Sequence, residues 1–90
     1  MVFRFYSNTE EGKPRITVVA EHSAGMLKVA VARCSNKDHF IRKKGRMIAE
    51  GRLAKDKLFT TVEMESCDIA AFVEVAKEVA REVNIIKQVY

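Results

Sequence analysis

The residues best suited to chemistry in this sequence are cations. Arg42-Lys43-Lys44-Gly45-Arg46 sets four long basic side chains within five positions. Holding a phosphate backbone takes several such side chains reaching one row of anions, and at helical spacing Arg42, Arg46 and Lys43 share a solvent side. With Lys37 before the run and Arg52 after it, residues 33–55 hold eight cations against two anions, a local charge of +6. The whole chain is only +4, so the remaining residues carry −2. Charge gathered in this way makes a local positive field that favours polyanions, whereas a solvated helix face is the bland reading of any basic run. The expected contact set is Arg42, Lys43, Arg46, Arg52 and Lys37. Its expected partner is a nucleic-acid phosphate backbone or, alternatively, an acidic protein or ribonucleoprotein surface. Tyr6 and Tyr90 lie near the ends of the sequence and Phe40 on the apolar side, so no pair of rings suggests a base-stacking platform. Contact with the backbone is favoured over base reading.

Other constellations are weaker. If the third and fourth strands were parallel neighbours, Cys34 and Ser66-Cys67 would meet at one sheet end, beside two helix N-termini able to hold an anion. Cys34, Cys67, His22 and His39 match no paired zinc-ligand spacing, so no metal or other cofactor is expected. The two thiols read as small buried hydrophobes, since a disulfide needs a distance that sequence does not give and a reducing compartment opposes it. Ser23 beside His22 and Cys34 near His39 are the nucleophile and base neighbours. Neighbours on a strand point to opposite faces and no third orienting group is implied, so an enzyme is not expected.

The elements that must position these residues follow from the pattern. With 90 residues, 48% of them hydrophobic, four Gly and one Pro, the chain reads as one domain spanning 1–90, too small for a lobed enzyme and too apolar for a disordered tail. No apolar run reaches the roughly 18 residues of a membrane helix, and neither a signal segment nor a cysteine framework is seen, so a cytoplasmic setting is expected. Strands are expected over Val2–Tyr6, 15–21 and 26–34. In the third, Leu27, Val29 and Val31 share one face and Lys28, Ala30 and Ala32 the other, where small residues would allow close packing. Ser35 and Asp38 suggest a helix start near Asn36, running to about 55. Its apolar stripe would be Phe40, Met47, Gly51 and Ala54, extended by Ile41 and Ile48, with Arg42 and Arg46 pointing away. A fourth strand is expected over Lys57–Met64. A second helix, opened by Ser66 and Asp68, would bury Ile69, Phe72, Val73, Ala76, Val79, Ala80 and Val83. The expectation is an α+β fold of order β-β-β-α-β-α, with a mixed four-stranded sheet, a parallel crossover between strands three and four, and both helices on one face.

The stretch Arg33-Cys34-Ser35-Asn36-Lys37-Asp38-His39-Phe40, continued through Arg42–Arg46 to Ala49-Glu50-Gly51-Arg52-Leu53, resembles small phage and mobile-element accessory proteins. That resemblance implies an inhibitor of host machinery, of the anti-CRISPR type, that works by occupying a partner's surface. It carries over no site residue. The expected oligomeric state is monomer or homodimer, with no membrane partner.

Overall fold

In the computed structural model, which describes residues 2–7, 15–34 and 42–86, strand β2 (Arg15–Ser23) turns into β3 (Met26–Cys34) through Ala24-Gly25. Both turn residues have positive φ, 50° and 74°, which matches a two-residue hairpin turn to the twist of its strands. β1 (Val2–Ser7) pairs antiparallel with β2, setting Phe3 opposite Ala20 and Phe5 opposite Val18. Helix α1 (Arg42–Ala54) follows, then β4 (Thr60–Glu63) and helix α2 (Ile69–Ile86). The sheet order is β1-β2-β3-β4. The α+β class and the order of elements are as expected from the sequence.

Two features of the expected arrangement are corrected. The sheet is antiparallel throughout, not mixed, because β4 meets β3 with Met26 opposite Glu63 and Val29 opposite Thr60. α1 descends only as far as the middle of β3, where Asp56 pairs with Lys28 and Arg52 reaches the Val31 carbonyl. The chain therefore enters β4 at the level of Val29 and continues in the same direction, whereas a parallel crossover must first return to the beginning of β3. Nor do the helices share a face. Phe3, Ile16, Val18, Ala20, Leu27, Val29 and Val31 form the main core with Phe72, Ala76, Val79, Ala80 and Val83 of α2. The alternate strand residues Val19 and Ala32 pack with Ala49 and Leu53 of α1 on the other side. One sheet thus separates two helical layers.

α2 matches its sequence pattern closely. The Asp68 carboxylate accepts the Ala71 amide at 2.8 Å, an N-cap that satisfies one of the first-turn donors. Phe72 stacks on Phe3 with centroids 5.1 Å apart. Ile69 departs from the expected stripe, being 61% exposed. α1 begins at Arg42 rather than near Asn36, and the expected cap at Ser35 and Asp38 lies outside the described residues. It is closed by Asp56 in the left-handed region (φ 59°), with Asp56 N–H donating to Leu53 O and Lys57 N–H to Arg52 O, the 5→2 and 6→1 bonds of a Schellman motif.

Candidate polyanion-binding face

α1 is turned roughly opposite to its expected orientation. Ala49 is buried, and Gly45, Arg46, Glu50, Arg52 and Leu53 are half-buried, while Met47, Ile48, Gly51 and Ala54 face solvent. The cause is the shape of the sheet beneath. Ala30 and Ala32 leave a shallow surface that admits a helix only if its near side is small, and Gly45, Ala49 and Leu53, four residues apart, provide that side. Polar ties on both flanks then hold the rotation. Arg4 Nε donates to Glu50 Oε2 at 2.7 Å on the β1 side, and Arg52 donates to the Val31 carbonyl at 2.7 Å on the β4 side.

This rotation decides the place of each expected contact residue. Arg42 opens the helix, Lys43 is exposed and Arg46 is half-buried. Arg52 has a task within the fold. β4 stops at the level of Val29, so the Val31 carbonyl lies past the end of its neighbouring strand, and the guanidinium supplies the donor that a longer strand would have supplied. Lys37 lies outside the described residues. Lys44, a member of the basic run outside the expected contact set, is exposed beside Lys43. A second basic pair, Lys55 and Lys57, is exposed just past the helix. The only sequence signal for Lys44 was its membership of the basic run itself.

The electrostatics are layered. Residues 42–57, α1 and its exit, hold seven cations and two anions, a net +5. Residues 64–86, α2 and its entry, hold two cations and five anions, a net −3. Both anions of the basic layer are tied to strand cations, Glu50 to Arg4 and Asp56 to Lys28 at 3.8 Å. Among the described residues no carboxylate lies within ion-pair distance of Lys43, Lys44, Lys55 or Lys57. The first turn of α1 contains no acidic residue, so Lys43 and Lys44 add charge to the end of the helix that is already positive. Within this basic surface Met47 is 61% exposed and Ile48 41%.

The other constellations come apart. Cys34 ends β3, whereas Ser66 and Cys67 follow the end of β4 that sits opposite Met26 at the beginning of β3. Eight strand residues, roughly 27 Å, separate those two ends, so the shared anion site that a parallel pair would have made does not exist. The same distance excludes a Cys34–Cys67 disulfide. His22 pairs with Leu27 near the turn, at the far end of the sheet from Cys34, and its Nε2 lies 2.6 Å from the Met64 carbonyl. His39 lies outside the described residues. Partial burial and the Asp68 carboxylate push the Cys67 thiol above its ordinary pKa, which keeps it protonated and weakly nucleophilic. Among the described residues no group of three or more His, Cys, Asp or Glu is placed to hold a metal, and no helix is long and apolar enough to cross a membrane. Comparison with protein families, curated proteins and solved structures finds no match to this chain.

Proposed function

We propose that this chain is a binding module that contacts a polyanion, the phosphate backbone of a nucleic acid, through the α1 side of its sheet. The observation that carries this reading is the separation of charge by the sheet, +5 in the α1 layer against −3 in the α2 layer. Lys43, Lys44, Lys55 and Lys57 belong to the positive layer, and no carboxylate among the described residues neutralises them. Exposed lysines contribute little to folding, so they can be removed without disturbing the scaffold. The test is Lys43→Ala/Lys44→Ala/Lys55→Ala against a 20-base-pair duplex and a 20-nucleotide single strand. Binding by the parent should weaken with salt, the logarithm of the binding constant falling by about 0.9 per duplex contact and about 0.7 per single-strand contact for each tenfold rise in salt. The triple variant should flatten that slope by about two to three contacts and melt at the parent's temperature. Binding that ignores salt, or a variant that binds as the parent does, overturns the reading.

A second reading has its own support. Met47 and Ile48 have no use on a phosphate backbone, yet they stand exposed among the lysines, and a mixed apolar and basic helix face suits an acidic protein surface with an apolar cleft. Met47→Ser/Ile48→Ser separates the two: it weakens a protein complex and leaves duplex binding unchanged.

A further inference from the structure

The exposed lysines of α1 are grouped at its two ends. Lys43 and Lys44 stand in the first turn, Lys55 and Lys57 at the exit. The Lys55 amide still donates to the Gly51 carbonyl at 3.1 Å, so Lys55 continues the helical course. Lys44 and Lys55 are eleven positions apart in the sequence. That is about three full turns, which sets them on one side of the helix and roughly 17 Å from each other along its axis. Between them the outward positions are Met47, Gly51 and Ala54, all exposed and none charged. Arg46 and Glu50, about one turn apart, are half-buried toward β1, where Glu50 holds Arg4. A Cβ added at Gly51 would meet nothing within 4 Å, so the middle of this face is open.

This spacing distinguishes between shapes of polyanion. Along one strand of a duplex the phosphates follow each other at about 3.4 Å of axis, and a helix lying on such a row gains from a cation on every turn of its contact face. α1 has a gap there instead. A helix entering a groove end-on would engage one lysine pair and leave the other roughly 17 Å away. Two rows of phosphate with an open groove between them suit the pattern, because both pairs then rest on anions and the uncharged middle has nothing to pair. The minor groove of B-form DNA, roughly 6 Å wide, is too narrow for that span, whereas the major groove, roughly 12 Å wide between its phosphate walls, fits it. The wide minor groove of A-form RNA displays 2′-hydroxyl groups, for which Met47, Gly51 and Ala54 carry no hydrogen-bonding side chain.

We propose that α1 bridges the major groove of B-form DNA, with Lys43 and Lys44 on the phosphates of one strand, Lys55 and Lys57 on those of the other, and Met47 and Gly51 over the groove without reading a base. This rests on the polyanion reading of the α1 face and adds the form of the polyanion and the way the helix crosses it. Glu50 and Asp56 are drawn down to Arg4 and Lys28 of the sheet, away from both phosphate rows. The α2 layer, net −3, lies on the far side of the sheet.

Gly51→Cys tests which groove the helix faces. The full chain with this change is mixed with 20-base-pair DNA duplexes carrying an activated disulfide tethered to cytosine N4 in the major groove or to guanine N2 in the minor groove. The unmodified protein gives the background from its own thiols. Cross-linking to the major-groove tether should be faster by at least about tenfold, as expected for a thiol held on that side. Equal or faster reaction with the minor-groove tether overturns the inference. At one salt concentration the unmodified chain should bind the DNA duplex at least about tenfold more tightly than a single strand of equal length or an RNA duplex, since only the first offers both phosphate rows to the lysines. Equal affinity for either of the others overturns the inference and leaves the polyanion reading standing. Absence of salt-dependent binding to all three ends both. Lys43→Ala/Lys44→Ala and Lys55→Ala/Lys57→Ala should each flatten the duplex salt slope by about 1.8, two contacts' worth. A slope changed by one pair alone means that α1 does not bridge. If Gly51→Cys does not fold, the affinities and the two lysine pairs decide the question.

Discussion

α1 and α2 cover opposite faces of one sheet, yet different forces hold them. α2 sets a continuous apolar stripe, Phe72, Ala76, Val79, Ala80 and Val83, against a face of Phe, Ile, Val and Leu. α1 lies close against β2 and β3 but buries only a small apolar cluster, Ala49 and Leu53 with Val19 and Ala32, and takes its orientation from side-chain ties at its flanks, Arg4 to Glu50 and Arg52 to the Val31 carbonyl. The difference teaches that the helix with the large apolar stripe is the scaffold and the closely seated one with a small apolar contact is the surface. α1 can present Met47, Ile48 and its lysines outward because its attachment does not use them.

The sharpest way to break this comparison is to place a carboxylate on each helix. Val79→Asp should unfold the protein, since an unpaired charge buried in the main core costs several kcal/mol against a total of roughly 5 to 10. Met47→Asp should leave it folded, because that position is exposed. Circular dichroism melting checks both, and a folded Val79→Asp protein would show that α2 is not the scaffold. Next in size is the small contact under α1. Ala49 is fully buried against Ala32 and Val19, so Ala49→Leu should cost about 1–3 kcal/mol by forcing the helix off the sheet. Ala54→Leu on the exposed side should change the denaturant midpoint little.

Arg52→Ala should cost about 1–2 kcal/mol, because it leaves a partly buried carbonyl without its charged donor. Arg52→Lys should recover only part of that, the ammonium lacking the reach and planarity of the fork. A full recovery by lysine would mean that charge alone, not the bond to Val31, matters there. The smallest expected effect is a gain. Ala24 carries a side chain at φ 50°, so Ala24→Gly should stabilise by about 0.5–1 kcal/mol without touching either helix. Equilibrium denaturation by urea checks it.

Much of this was legible in the amino-acid sequence wherever one face of an element makes a long, uninterrupted apolar row. The period-two pattern of 15–34 and the 3.6-residue pattern of 69–83 placed β2, β3 and α2, and Asp68 marked the cap, because each signal is local and has one solution. The basic run and the excess charge around it were likewise read directly from residue types. α1 was misread because its apolar and polar residues support two rotations. Met47, Gly51 and Ala54 make as good a stripe on paper as Gly45, Ala49 and Leu53 make on the sheet. Choosing between them takes the alanines of β3, a carbonyl left past the end of β4, and Arg4 from a strand more than forty residues away.

What the sequence determined by itself, then, was the number and type of elements, the larger apolar face of β3 and of α2, and the presence of a concentrated positive charge. Tertiary structure alone decided the direction of β4, the side of the sheet on which each helix lies, and the rotation of α1. The physical reason is the range of the forces involved. Periodicity and capping act within one element, where neighbouring residues settle the outcome. The direction of a strand and the face a helix takes depend on chain entry points, side-chain volume and unsatisfied backbone groups brought together from distant positions, and these meet only when the whole chain has folded.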